Sequence, residues 1–325
     1  MTVAAPAELV TLDAIRRAAA VVRQVAVRTP LLPVDELSER FGVPVFVKPE
    51  SLQRIGAFKL RGAFHLVSRL VGEGSRGVIT YSSGNHGQAV AFAAKRFGVR
   101  AVIVMPETVT AAKRAGVERL GGEVVLAGRT SADRYRRAME LAAADNLAVV
   151  PPFDHPDIIA GQGTVGLEIV EDCPDVGMVV VPCGGGGLSA GVATAVKALV
   201  PAATVVTVEP EGAPKLARSL REGRQVTLER TDSIADGLIT LGVGKLNWEH
   251  LSRFVDRGET ISDEAMRRTV RWALERLKLV LEPSGAATLA WLREQQVVRR
   301  GPVVAVLSGG NVEWDGLRAL LEAAP

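Results

Sequence analysis

Cysteine is scarce: Cys173 and Cys183 are the only two in 325 residues. Two thiols cannot build a disulfide framework, and they lack zinc-ligand spacing. A reducing, cytoplasmic setting is expected. Histidine is nearly as rare, and His65, His86, His155 and His250 form no HExxH or other paired motif. No metal is expected on those grounds. Lysine is also thin, with eight against 31 arginines. Basic residues form no run. The net charge of +3 is scattered, with only short pairs such as Arg136-Arg137 and Arg299-Arg300. That pattern excludes a nucleic-acid patch. The first residues have no basic start followed by a long apolar stretch, so no signal peptide is expected.

One uncharged stretch, Gly177 to Val196, has about the length of a membrane helix. It holds Pro182 and four consecutive glycines. Each glycine costs a helix about 1 kcal/mol and the proline about 3. Strand, glycine turn and helix is the better reading, and no membrane partner is expected.

What remains is ordinary globular composition, 47% hydrophobic and 23% charged. The length predicts two lobes. Short β-branched runs alternate with helical patterns. Strands are predicted at 43–48, 77–80, 101–105, 123–126, 178–182, 204–209 and 302–307. Helices are predicted at 58–70, 84–97, 111–120, 131–145, 188–199, 262–277 and 283–294. Residues 211–249 read as irregular. Apolar strands alternating with helices imply parallel α/β sheets covered on both faces. Ligands in such folds sit beyond the carboxyl ends of strands. The loops after Thr80, Pro182 and Leu307 are therefore the candidates.

The loop after Pro182 carries Gly184, Gly185, Gly186 and Gly187, followed by Leu188-Ser189. Without Cβ atoms, successive N–H groups can converge at a helix start and hold an anion such as phosphate. It is not a Walker A loop, because no Lys-Ser/Thr follows the last glycine, and it lacks G-x-G-x-x-G spacing. A tight packing turn is the plainer alternative. Lys59 begins a helix behind Gly56-Ala57-Phe58, in apolar company. Desolvation there lowers the amine pKa and makes it nucleophilic. An exposed helix lysine is the plainer alternative here too, and Arg61 is read as a surface residue without chemistry.

Taken together, Gly56-Ala-Phe-Lys-Leu-Arg-Gly-Ala63, Ser82-Ser-Gly-Asn-His-Gly-Gln88 and Gly184 to Gly187 resemble the fold-type-II enzymes dependent on pyridoxal 5'-phosphate (PLP). The similarity is to the serine/threonine dehydratase and serine racemase branch. Val104-Met-Pro106, Ile159-Ala-Gly-Gln-Gly-Thr164, Leu281-Glu-Pro-Ser-Gly-Ala286 and Leu307-Ser-Gly-Gly-Asn311 extend it along nearly the whole chain, in order.

The resemblance implies two open parallel-sheet domains, tryptophan synthase β-like, with PLP between them. The large domain is expected at 1–70 and 155–325, the small one at 71–154. It also implies that Lys59 carries PLP as a Schiff base and then serves as α-proton base. Phe58 flanks the cofactor, Asn85 meets the pyridine hydroxyl, and Gly184 to Gly187 with Leu188 hold the phosphate. Glu282 lies near the ring and Ser308 meets the ring nitrogen. Ser82, Ser83, Asn85 and His86 line the substrate carboxylate site. A hydroxyl at the ring nitrogen makes a weaker electron sink than a protonated ring, which favours prompt β-elimination.

Several positions depart from the pattern or stay open. Ala57 stands where the family often has serine. Ser83 matches the residue that serves racemases as second base, yet dehydratases carry serine there too. Arg134 matches an arginine that approaches a distal carboxylate in racemase relatives, which raises hydroxyaspartate; an exposed helix arginine is the alternative. Relatives with an activating divalent cation use an acid, a carbonyl and a second acid. Here Glu209 and Ala213 are in place, but Lys215 occupies the second acid's position, so that cation is not expected. No regulatory domain is expected after the last motif.

The expected function is a PLP-dependent dehydratase (ammonia-lyase) acting on L-threonine, L-serine or a related 3-hydroxy amino acid, as a homodimer or homotetramer. Alternatives are a serine or aspartate racemase, a 3-hydroxyaspartate dehydratase, a β-replacement synthase and a non-enzymatic PLP-binding protein.

Overall fold

The computed structural model describes residues 8–82, 84–296 and 301–323. Among the described residues, ten strands form two sheets. They are β1 (Leu32–Pro33), β2 (Val45–Pro49), β3 (Gly77–Thr80), β4 (Arg100–Met105), β5 (Glu123–Leu126), β6 (Ala148–Val149), β7 (Met178–Pro182), β8 (Thr204–Pro210), β9 (Arg257–Ile261) and β10 (Val303–Leu307). The six-stranded sheet runs β1-β2-β10-β7-β8-β9, and the four-stranded sheet β5-β4-β3-β6. All pairings are parallel except β1 with β2.

The valine runs predicted as strands work because both faces of the larger sheet are covered. In β7, Val179 and Val181 enter the core on one face, Met178 and Val180 the core on the other. In β10, Val304 and Val306 divide from Val303, Ala305 and Leu307 in the same way. The smaller sheet repeats this with Ile103 on one side and Val102 and Val104 on the other.

Gly177 to Val196 divides into β7, the glycine turn and most of helix Gly187–Leu199. Among the described residues, no helix is long and apolar enough to cross a membrane.

Some elements differ from the sequence reading. Residues 211–249 contain helix Lys215–Glu222, a short 3₁₀ turn at Asp236–Leu238 and the start of helix Lys245–Phe254. The predicted helix over 262–277 is Asp263–Trp272 followed by one wider π-helical turn, Ala273–Leu277. Lys278 ends it in the left-handed conformation, at φ 58°. Helix Pro156–Asp172 has no counterpart among the helices that the sequence predicts. It is buried from Ile158 to Ile169, so it has no polar face to betray a helical period. Its glycines let helices touch: a Cβ on Gly161 would lie 2.6 Å from Gly62 Cα. The contact fixes helix Lys59–Gly72, and with it the first residue of that helix.

Candidate active site

The chain past two strand ends, β10 and β6, meets at Lys59. The Phe58 amide donates to the Ser308 carbonyl just past β10, at 3.1 Å, and Gly310 donates back to Gly56, at 2.9 Å. Gly56 takes φ +72°, a left-handed turn that aims the chain into the helix. Past β6, the Pro152 carbonyl accepts from Lys59 Nζ at 2.6 Å. The Phe58 ring lies 5.2 Å from the same nitrogen. Among the described residues, no carboxylate pairs with Lys59. Burial without compensation pulls its pKa from 10.5 to about 8. At pH 7 roughly one amine in ten is then neutral, against about three in ten thousand for an ordinary lysine.

His86 lies in the first turn of helix Asn85–Phe97, after β3, and is buried. Burial, and repulsion by Lys59, push its pKa down to about 3. The ring is therefore neutral. Nε2 faces the Val150 carbonyl at 3.1 Å. A carbonyl only accepts, so Nε2 bears the proton and Nδ1 is an acceptor. Among the described residues Nδ1 has no partner. Ser82 sits in the same loop, its Oγ 3.4 Å from the Gly84 amide. Ser83 lies outside the described residues.

Asn85 is held from both ends. Its Nδ2 donates to Glu282 Oε1 at 2.7 Å, and its Oδ1 accepts from Asn311 Nδ2 at 2.8 Å. Asn311 also donates to the Ile55 carbonyl at 2.7 Å. Burial, and then repulsion by Asp236, raise Glu282 to about 8. It is a neutral acid in about nine molecules of ten at pH 7. Ser308 is buried, with its hydroxyl 3.3 Å from the Ser284 carbonyl.

The glycine turn follows β7. Gly186 has φ +97°. A Cβ on Gly184 would lie 2.6 Å from the Gly237 carbonyl, and one on Gly185 would enter the Phe153 ring. Phe153 follows Pro152, so one short segment touches both the Lys59 amine and the turn. The Gly185 carbonyl accepts from Asn247 Nδ2 at 2.7 Å and from the Gly244 amide at 3.0 Å. Asp154 accepts the amides of Lys245, Leu246 and Asn247, which anchors that helix start. Among the described residues, the Gly184, Gly185 and Gly186 amides have no protein acceptor. Leu188 is buried in the first turn of the following helix.

Among the described residues, Arg134 makes no hydrogen bond or ion pair with this cluster. It donates to Ser131 Oγ at 2.8 Å on its own helix, half-buried. Its neighbour Tyr135 stacks edge-on against Tyr81, 5.2 Å away, beside Ser82.

The surface reading of Arg61 is wrong. Arg61 is fully buried and bonds Glu50 at 2.8 Å and Glu168 at 2.7 Å. Lys48 meets Glu168 at 2.7 Å, and Thr29 meets Glu50 at 2.8 Å. The helix that starts at Lys59 is bolted to the larger sheet by a balanced set of two cations and two anions. An alternation of side-chain types does not reveal such a pairing, because its members are far apart in sequence. Asn311 ends the Leu307-Ser-Gly-Gly-Asn311 motif, and the resemblance implies no role for it. Pro152 and Gly244 act through backbone atoms, which leave no residue-type signal.

An aldehyde-bearing pyridine phosphate needs an uncompensated amine, an anion cradle and polar groups at the ring edge. Lys59, the free glycine amides, and Asn85 with Ser308 fit those needs. A family model described as pyridoxal-phosphate dependent enzyme matches residues 22–309. The chain is 39% identical over 306 residues to the L-threonine ammonia-lyase of Thermotoga maritima, covering 94% of this chain and 76% of that one. It is 39% identical over 297 residues to the L-threo-3-hydroxyaspartate ammonia-lyase of Saccharomyces cerevisiae, covering 90% and 91%. The structure of maize serine racemase superposes with a TM-score of 0.92 at 34% identity, over 97% of this chain and 98% of that one. The chain spans about half the length, 51–52%, of several plant relatives that it matches. Motifs, two-sheet architecture and these likenesses agree: the chain belongs to the fold-type-II pyridoxal-phosphate dependent enzymes, in the serine/threonine dehydratase and serine racemase family.

Proposed function

We propose that this protein is an ammonia-lyase that converts L-threonine, L-serine or a related 3-hydroxy amino acid to a 2-oxo acid and ammonia. The observation that carries this reading is the Lys59 amine: on a half-buried residue, free of any carboxylate partner among the described residues, and joined through Pro152-Phe153 to the glycine turn. Bound PLP supplies an electron sink for negative charge at the substrate α-carbon. Neutral Lys59 accepts the α-proton. The electron pair of the broken C–H bond becomes the α,β double bond, the β C–O bond breaks, and the hydroxyl leaves as water, with the proton Lys59 accepted balancing the one it takes up. The released enamine tautomerises and hydrolyses, exchanging nitrogen for oxygen as ammonia departs. No net oxidation occurs.

The Gly184 to Gly187 amides, with Leu188, orient the phosphate end. Phe58 flanks the ring, and Asn85, fixed by Glu282 and Asn311, addresses its hydroxyl. Ser308 offers a hydroxyl rather than a carboxylate to the ring nitrogen, which favours elimination over a long-lived carbanion. Ser82, Ser83 and Asn85 receive the substrate carboxylate, and His86, whose unpartnered Nδ1 is an acceptor, lines the wall of that site without bonding the anion. Residues 71–154 form the small domain, and 1–70 with 155–325 the large one. Two buried free thiols suit a reducing cytoplasm. A homodimer or homotetramer follows from the resemblance, and light scattering tests it.

The deciding experiment is a panel of hydroxy amino acids in both enantiomers, scored for 2-oxo acid and for inversion of recovered substrate. Oxo acid from threonine or serine supports the lyase. Inversion without oxo acid replaces it with the racemase reading. No turnover, with no absorption band lost to borohydride, rejects both.

A further inference from the structure

Behind the glycine turn lies a second buried polar site. Lys215 Nζ, on a fully buried side chain, is 2.9 Å from Glu209 Oε1. It also lies 2.8 Å from the Leu238 carbonyl and 3.2 Å from the carbonyls of Cys183 and Ala213. An ammonium has three protons, yet four oxygens converge on it. The cage therefore asks for positive charge more than for directed hydrogen bonds. Glu209 is itself held by the amides of Leu216 at 2.9 Å and Ala217 at 2.8 Å. The oxygens come from three separate segments. Cys183 immediately precedes Gly184. Leu238 follows Gly237, whose carbonyl a Cβ on Gly184 would strike. Asp236, in the same segment, bonds Lys113 of the smaller sheet's helix at 2.7 Å.

We infer that Lys215 is a tethered cation: its ammonium occupies an oxygen cage beneath the phosphate-binding turn, fixes Gly184 against the 236–238 segment, and frees the enzyme from any need for a dissolved cation. Lys215 is a positioning residue, since it reaches the cofactor only through Cys183 and Gly184. A mobile ion would leave the cage when chelated; a side chain cannot. The inference rests on the glycine turn being the phosphate cradle. A wild-type protein that forms no PLP absorption band would reject that cradle first, independently of Lys215.

The test uses the holoenzyme. Wild-type PLP affinity, thermal midpoint and turnover should change less than twofold between EDTA and millimolar Mg²⁺, Ca²⁺, K⁺ or ammonium. Lys215→Ala should bind PLP at least tenfold more weakly, read by absorbance titration. Ammonium, ethylammonium or one of the metal ions should recover part of that loss by refilling the cage. If Lys215→Ala does not fold, Glu209→Gln/Lys215→Met removes the charges as a pair. That double variant should keep its fold by circular dichroism, bind PLP at least tenfold more weakly, and show no response to cations. Wild-type dependence on a divalent ion overturns the inference. So does wild-type PLP affinity in either variant, or weakened affinity in Lys215→Ala that no cation improves.

Discussion

Replacing Arg61 by methionine tests whether the buried charge cluster anchors the catalytic helix. Arg61 donates to both oxygens of Glu50 at 2.8 Å and to Glu168 at 2.7 and 2.9 Å. Charge-assisted bonds of this kind contribute about 1.5–3 kcal/mol each, and they do not add within one buried cluster. Removing the guanidinium also removes its own desolvation penalty, so the net loss is about 3–5 kcal/mol, the range for breaking one partner of a buried ionic group. The loss should depend on pH. Burial pushes Glu50 up, but the charge and hydrogen bonds of Arg61 outweigh it and hold the carboxyl below its ordinary value. A lowered folded pKa contributes stability that is complete above the unfolded value and fades as pH falls through the folded one. Without Arg61 burial prevails, the folded pKa rises, and the carboxylate is penalised at high pH. The gap between wild type and variant should therefore narrow from pH 8 toward pH 5. Urea unfolding of the PLP-free proteins, followed by tryptophan fluorescence, measures it. Adding Glu50→Gln should recover about 1 kcal/mol or more, because it removes the stranded charge. A loss below about 1 kcal/mol, or a gap that widens on acidification, would refute the argument.

Three further outcomes follow from the site. PLP capture by the apo-protein should accelerate about tenfold per pH unit below 8 and level off above, since only the neutral amine of Lys59 attacks and its pKa is about 8; stopped-flow absorbance gives the profile, and a midpoint near 10 would contradict it. Asn311→Ala should lower kcat/KM about tenfold, equivalent to about 1.4 kcal/mol, by releasing Asn85 and the Ile55 carbonyl; unchanged kinetics would show that Asn85 is held well enough by Glu282. Arg134→Ala should leave threonine turnover within twofold, because Arg134 bonds Ser131 and not the cluster around Lys59; a selective fall for 3-hydroxyaspartate would assign it to the distal carboxylate.

The sequence alone carried the architecture and, through the motifs shared with a known family, pointed to Lys59. Runs such as Val179 to Val181 can only be strands covered on both faces. Four glycines after one of them mark a place where backbone, not side chains, must approach something. Lys59 is marked by its motif, while its local context fits an exposed helix lysine as well; once buried, such an amine must lose its proton easily or find a partner. Local pattern could not decide which; tertiary structure did, by placing a carbonyl at the amine and no carboxylate. The same logic separated Arg61 from Lys59, two residues on in the same helix. One meets Glu50 and Glu168, more than ten and a hundred positions away, while the other meets none. Helix Pro156–Asp172 and Lys215 were also decided by packing. Apolar periodicity records only the boundary between protein and water, and neither of them lies on that boundary. Whether a buried charge serves as reactant, anchor or tethered ion depends on which distant oxygens surround it, and only the folded chain brings those oxygens together.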